Sequence, residues 1–201
     1  RAPGATGRRP RPTRMLNLPT LLTWSRILAI PLLVAVFYLP WQERTINVCA
    51  TVIFVTAALT DWLDGWLARR LGQTSAFGAF LDPVADKLMV AAALILLVAL
   101  GRADAYLAII IIGREITISA LREWMAELGQ GKSVAVAFIG KLKTGAQMTA
   151  IIALLLYEPL IPGVPTPILG TVALWVAVIL TLWSMFHYLR LAAPYLRSDR
   201  E

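Results

Sequence analysis

Four aspartates lie at helical spacing in a chain that is otherwise strongly apolar. Asp61 and Asp64 are three residues apart, and Asp82 and Asp86 are four apart, so on two helices each pair would project from one face, about 60° and 40° apart respectively. The polar turn at 70–75 would let the two helices fold back and face each other. Placing carboxylates beside hydrocarbon costs free energy unless they bind a partner. Because carboxylate oxygens suit hard cations, the pattern predicts a site for one or two Mg²⁺ or Mn²⁺ ions, which commonly serve phosphate chemistry.

A purely structural interpretation of these aspartates is also open. Two carboxylate pairs between helices could be neutralised by Arg69, Arg70 and Lys87. Salt bridging, however, does not require the small residues that accompany the aspartates at fixed spacing, namely Gly65, Ala68 and Gly78. A metal site is therefore the better hypothesis.

The composition is that of a polytopic membrane protein. Of the 201 residues, 58% are hydrophobic and only 15% are charged, with a mean hydropathy of +0.70, whereas a soluble domain of this length would be far more polar. The net charge of +7 does not indicate nucleic acid. In such a chain, basic residues set the topology and meet anionic lipid or phosphorylated substrates.

Six transmembrane helices are predicted, in an all-α membrane domain at 15–201 that follows a basic tail at 1–14 and opens with a short interfacial segment at 17–20. The predicted spans are 21–39, 46 into the aspartate motif, 78–100, 106–125, 139–157 and 168–189. Six spans place both termini on one side, and that side holds 14 of the 19 basic residues. The bias predicts that the termini and the aspartate turn are cytoplasmic.

The full motif adds four residues at fixed spacing to the four aspartates. It reads Asp61-x2-Asp64-Gly65-x2-Ala68-Arg69-x8-Gly78-x3-Asp82-x3-Asp86. At every position it resembles the motif of the CDP-alcohol phosphotransferases. Longer runs resemble the bacterial branch of that family that makes phosphatidylglycerol phosphate, and they lie at 17–23, 77–87, 114–115, 119–129, 140–144 and 180–185.

The resemblance assigns roles to the residues of the motif. It implies that Asp61, Asp64 and Asp82 bind the metal ions and that Asp86 is the general base, although a carboxylate in this place can also be mainly a ligand, so Asp86 stands in both sets. It implies a nucleotide-binding set made of Asn17, Thr20, Gly65, Ala68, Arg69, Ser75 and Gly78. For the small residues of that set, close helix packing is an equally good interpretation.

A second group of charges lies in the fourth and fifth predicted spans. Arg114 and Arg122 are eight residues apart and share a helix face, while Lys141 and Lys143 begin the next span. Together they predict a basic pocket for an acceptor that carries a phosphate. The alternatives are an ion pair of Arg114 with Glu115 or an aspartate, and interfacial anchoring for the other three.

The resemblance also implies a reaction, in which CDP-diacylglycerol and sn-glycerol 3-phosphate give phosphatidylglycerol phosphate and CMP. The 1-hydroxyl of the acceptor, deprotonated by Asp86, would attack the β-phosphorus directly, since no Ser or His is placed as an obvious nucleophile. The resemblance further implies that the protein lies in a bacterial cytoplasmic membrane, contacts membrane lipid and forms a homodimer. The alternatives are another acceptor, such as inositol phosphate, serine or phosphatidylglycerol, and a divalent-cation transporter, which would need carboxylates on both halves of the membrane path.

Overall fold

The computed structural model describes residues 18–71, 76–127, 137–159, 163 and 165–198, and over these residues it is all-helical. The six α-helices of this part are α1 Leu18–Ala35, α2 Glu43–Leu71, α3 Ala76–Ala99, α4 Ala105–Glu127, α5 Ala137–Leu156 and α6 Thr166–Ser198. A short 3₁₀ turn, Val36–Tyr38, follows α1. The predicted all-α fold with six helices is confirmed.

The helix boundaries extend several predicted spans. Residues 18–20, expected in an interfacial segment, form the first turn of α1, where Pro19 is tolerated because the first helical amides have no partner within the helix. The second helix continues through both aspartates of the first pair to Leu71, and the last helix runs nine residues beyond the predicted end at 189.

Several helices are suited to a bilayer. Within the described residues, three segments are long and apolar enough to cross it, namely Leu21–Tyr38, Glu43–Asp61 and Thr166–Arg190, and a shorter apolar segment covers Leu142–Leu156. Large apolar side chains also point outward along the bundle, among them Leu28, Ile95, Ile109 and Trp183. An apolar exterior around helices whose backbone groups are paired internally is the arrangement that lipid requires.

The helices pack around a common apolar core, and α5 lies closely against α6. A Cβ atom added at Gly170 of α6 would lie 2.7 Å from Cγ of Leu154 on α5, so only a glycine permits this approach. Small residues at such crossings bring helix backbones together in membrane proteins. Fully buried side chains of the core include Leu94, Leu97, Ile111, Ile151 and Leu155.

Arg102, in the turn between α3 and α4, contacts several elements at one end of the helix bundle. Its Nη1 atom donates to the carbonyls of Leu154 and Leu155 at 3.3 and 3.0 Å, which have no partner further along the helix because they belong to the last turn of α5. Its Nη2 atom lies 3.3 Å from Oε1 of Glu43, and its guanidinium covers the ring of Tyr157. The charges of the predicted site lie at the opposite end.

Candidate functional site

The first helix supports two of the four aspartates. The hydroxyl of Thr23 donates to Oδ1 of Asp82, and Nη1 of Arg26 donates to Oδ1 of Asp86 at 2.5 Å. Thr23 and Arg26 are one turn apart on α1, as Asp82 and Asp86 are on α3. The two helices therefore run in the same direction here, and each polar residue of α1 meets one carboxylate of α3.

Arg26 also contacts the second helix, since its Nη1 atom lies 2.9 Å from Oδ1 of Asp61. One guanidinium nitrogen thus lies between carboxylates from α2 and α3. The Arg26 side chain is 1% exposed, whereas those of Asp61 and Asp86 are 41% and 43% exposed. The two carboxylates consequently face an opening, and Arg26 lies behind them.

The donor set suits a hard divalent ion. Asp61 and Asp86 come from different helices and both contact Arg26, so their oxygens are already directed at positive charge. Among the side chains that the structure describes, which do not include Asp64, no group of three or more acidic, histidine or cysteine side chains forms a complete metal-binding cluster. The oxygen chemistry and the convergence of the two carboxylates nevertheless fit Mg²⁺ or Mn²⁺.

The opening in front of the aspartates is a cavity of about 210 Å³, which we call the carboxylate cavity. Its polar wall contains Asp61, Asp86 and Lys87 together with Arg26, whose side chain is almost fully buried. Apolar residues of α2 and α3 line another wall, including Phe54, Ala57, Met89 and Val90. The remaining lining comes from α4 and α5, namely Glu115, Lys143, Thr144, Gln147 and Met148.

A second cavity of about 140 Å³ lies among α4, α5 and α6, and we call it the basic cavity. Three of the predicted acceptor-site residues line it, Arg114, Arg122 and Lys143. The rest of its lining is Glu115, Ile118, Ser119, Gly140, Thr144, Ser184 and Tyr188. The fourth predicted cation, Lys141, has its side chain outside the described residues.

Glu115 organises the cations of the basic cavity. Its Oε2 atom lies 2.6 Å from Nζ of Lys143 and 3.2 Å from Nη1 of Arg114. Nη2 of Arg114 donates to Oγ of Ser184 at 2.7 Å, and that hydroxyl in turn donates to the carbonyl of Thr181 at 2.9 Å. The pairing of Arg114 with Glu115, left open by the sequence, therefore exists and holds the guanidinium in one orientation at the cavity wall.

The two cavities are neighbours, because Glu115, Lys143 and Thr144 line both of them. The wall between the basic cavity and the carboxylate cavity thus contains these three side chains. This arrangement can bind an anion at one end and present its other end to the carboxylates.

The other predicted site residues are less fully described. Gly78 is buried in the first turn of α3. Asn17, Ser75 and the predicted tail at 1–14 lie outside the described residues. For five other predicted residues the structure describes only the helix backbone, namely Thr20, Asp64, Gly65, Ala68 and Arg69.

Polar residues that were not predicted from the sequence also lie at the site, among them Thr23, Arg26, Ser184 and Tyr188. A signal for Arg26 was available, because an arginine inside an apolar span requires an anionic partner. No comparable signal marks the hydroxyl residues, which are common in helices and satisfy themselves locally.

Comparison with known proteins gives concordant matches over most of the chain. The sequence model of the family described as CDP-alcohol phosphatidyltransferase matches residues 16–183. A protein from Pectobacterium atrosepticum is 54% identical over 184 residues, which cover 88% of this chain and 94% of the relative. One from Sodalis glossinidius is 52% identical over 184 residues, with 87% and 93% covered. Both relatives carry the name CDP-diacylglycerol--glycerol-3-phosphate 3-phosphatidyltransferase.

Proposed function

Because this chain belongs to the CDP-alcohol phosphatidyltransferase family, we propose that it transfers the phosphatidyl group of CDP-diacylglycerol to sn-glycerol 3-phosphate, with release of CMP. It is a membrane-embedded transferase of phospholipid biosynthesis, and the reaction is the one that names its relatives. The product, phosphatidylglycerol phosphate, is a precursor of phosphatidylglycerol.

The observation that carries this proposal is the common wall of the two cavities. A transfer between a lipid diphosphate and a phosphorylated acceptor needs one subsite for the reacting phosphorus and another for the phosphate of the acceptor, a short distance apart. The carboxylate cavity and the basic cavity meet this requirement, since they differ in charge and share three side chains.

The aspartates serve the diphosphate end. Members of this family generally depend on a divalent metal ion, and we assign Asp61, Asp64, Asp82 and Asp86 as the residues that hold one or two Mg²⁺ or Mn²⁺ ions. When bound, such ions neutralise the diphosphate and stabilise the charge that develops on the phosphorus under attack.

Asp86 also takes part in the transfer itself. The 1-hydroxyl oxygen of glycerol 3-phosphate attacks the β-phosphorus and gives its proton to the Asp86 carboxylate, because a primary alcohol is a weak nucleophile at neutral pH. A new phosphorus–oxygen bond forms, and the bond between this phosphorus and the oxygen of CMP breaks. CMP leaves with that electron pair, and Arg69 is assigned to compensate its charge.

The basic cavity receives the phosphate of the acceptor. Arg114 and Lys143 have buried side chains on its wall and Arg122 an exposed one, and a guanidinium can bind two phosphate oxygens at once. We assign Lys141 to the same subsite from its position two residues before Lys143. Glycerol 3-phosphate bound in this way would direct its free hydroxyl toward the shared wall and Asp86.

The nucleotide is assigned to the end of α2 and the start of α3. Gly65, Ala68 and Gly78 would leave room for the cytidine against the helix backbones, with Arg69 and Ser75 as polar contacts. Asn17 and Thr20 are assigned to cover the nucleotide. The lipid tails of the substrate then lie along the apolar exterior of the bundle.

We also propose an orientation and an assembly for the enzyme. The excess of basic residues on the side of the termini supports an active site that faces the cytoplasm in the bacterial inner membrane. We further assign a homodimer as the functional assembly, in keeping with the family resemblance.

The acceptor decides the assignment experimentally. Purified protein in detergent, supplied with CDP-diacylglycerol and Mn²⁺, is expected to incorporate labelled glycerol 3-phosphate and to stop when EDTA is added. Labelled inositol phosphate and serine serve as competing acceptors. Preferred incorporation of either would replace the proposed acceptor while leaving the lipid donor in place, and turnover that persists in EDTA would remove the metal from the mechanism.

A further inference from the structure

We propose that Arg26 is a permanent internal cation of the carboxylate cavity, which compensates Asp61 and Asp86 before a divalent ion binds and thereby limits how tightly that ion is held. The inference rests on the proposed function, because it concerns the metal site assigned there. It gives a role to a residue that lies outside the motif.

The side chains of Arg26, Asp61 and Asp86 depend on one another. Arg26 is 2% exposed, and a buried guanidinium without an anion would be very costly. Asp61 and Asp86 both approach the same nitrogen, at 2.9 and 2.5 Å. Two carboxylates directed at one point repel each other unless a positive charge lies between them.

An ion would reach the site from the carboxylate cavity. Asp61 and Asp86 are 41% and 43% exposed, whereas the Arg26 side chain, which also lines this cavity, is 1% exposed. An ion from the cavity therefore meets the exposed carboxylates first, because almost none of the Arg26 side chain is open to solvent. We infer that Arg26 stays in place and that its charge acts on the bound ion.

Arg26 has two opposing effects on metal affinity. Residues that orient metal ligands typically contribute about 10- to 100-fold in affinity. The repulsion between a full positive charge and a divalent ion that share carboxylate partners acts in the other direction, and in a partly buried site with an effective dielectric constant of about 20 it is the larger effect. Removal of the charge is thus expected to tighten metal binding, whereas loss of a merely structural residue would weaken it.

Arg26→Gln tests this expectation, with Mn²⁺ as the probe and the purified protein in detergent. Free Mn²⁺ is counted by electron paramagnetic resonance, and unfolding is followed by the fluorescence of the seven tryptophans. The variant is expected to bind Mn²⁺ at least tenfold more tightly than the unchanged protein. Its metal-free form should unfold at a lower temperature, and Mn²⁺ should raise that temperature by more than it does in the unchanged protein.

Two further variants separate charge from other effects. Arg26→Lys keeps the charge and should bind Mn²⁺ within about threefold of the unchanged protein, since repulsion depends on charge. Arg44→Gln removes one positive charge at the opposite end of the bundle, where Arg44 is exposed beside Glu158, and should leave Mn²⁺ binding unchanged.

The outcomes distinguish this inference from the proposed function. Weaker or unchanged Mn²⁺ binding by Arg26→Gln would overturn the role of Arg26 alone, provided that the unchanged protein binds Mn²⁺. An unchanged protein that binds no Mn²⁺ would overturn the metal site itself and this inference with it. An Arg26→Gln variant that can be purified only with Mn²⁺ supports the inference. A variant that fails to fold even with Mn²⁺ would show that Arg26 is needed for folding itself, and would overturn the inference.

Discussion

The pairing of Glu115 with two cations makes the basic cavity testable by a single substitution, Glu115→Gln. Its Oε2 atom serves both Lys143 and Arg114, whose side chains are 7% and 8% exposed. Loss of one partner from a buried ion pair costs about 3–5 kcal/mol. Because Glu115 itself is 31% exposed and borders a cavity, we expect about 2 kcal/mol instead, which lowers the unfolding temperature by about 4–8 °C in a chain of this size.

The same substitution should strengthen the response to the acceptor. Without Glu115 the two cations have lost their common anion, and the phosphate of glycerol 3-phosphate can replace it. We expect the KM for glycerol 3-phosphate to fall about tenfold, or about 1.4 kcal/mol, while the KM for CDP-diacylglycerol changes little. Glycerol 3-phosphate should also raise the unfolding temperature of the variant by more than that of the unchanged protein.

Glu43→Gln is the matched control for this prediction. It also removes the acidic partner of a buried arginine, since the Arg102 side chain is 6% exposed and 3.3 Å from Glu43, but at the far end of the bundle. It should lose stability without any gain in the response to glycerol 3-phosphate. If Glu115→Gln binds the acceptor more weakly than the unchanged protein, or behaves like the control, the basic cavity does not receive the acceptor phosphate.

Three other substitutions, the last of them with a matched control, address the base, the acceptor subsite and the helix crossing. Asp86→Asn should lower kcat at least 100-fold through loss of the proton acceptor and should retain nucleotide binding; retained turnover in a radiolabel transfer assay would exclude Asp86 as the base. Arg122→Ala should raise the KM for glycerol 3-phosphate about tenfold with less effect on the lipid, as expected for one charge-assisted hydrogen bond, and an unchanged KM would remove it from the subsite. Gly170→Ala should destabilise the protein by about 1–3 kcal/mol, because the new methyl group would overlap Leu154. Gly145→Ala, where nothing lies within 4 Å, should be neutral or stabilising in the same thermal unfolding measurement.

The sequence was sufficient to predict the helices and to group charged residues that share one helix face. Spacing within a helix fixes which side chains share a face, and so Asp82 and Asp86, or Arg114 and Arg122, could be grouped correctly from their positions alone. The apolar runs between polar turns gave the helix order, because spans of this length have few alternatives in a bilayer.

The partners across helices could not be predicted in the same way. Arg26 meets Asp86 across 60 positions of sequence, and periodicity does not say which neighbour a helix face will meet. Glu115 follows Arg114 directly and so points about 100° away on the helix. Its long side chain nevertheless reaches both Arg114 and Lys143, 28 positions later. Such contacts depend on how the helices are placed beside one another, which one sequence does not contain.

The site-end ion pairs that the structure describes fall into two groups of three helices. Arg26 of α1 is neutralised by α2 and α3, while Arg114 and Glu115 of α4 are completed by α5 and α6. During synthesis, the arginine of α1 enters the bilayer before either of its aspartates exists, at a cost of about 2.5–3.5 kcal/mol on the insertion scale. That cost is recovered once α3 is in place. The buried charges of each group of three helices can therefore be paired within that group before the two groups pack together.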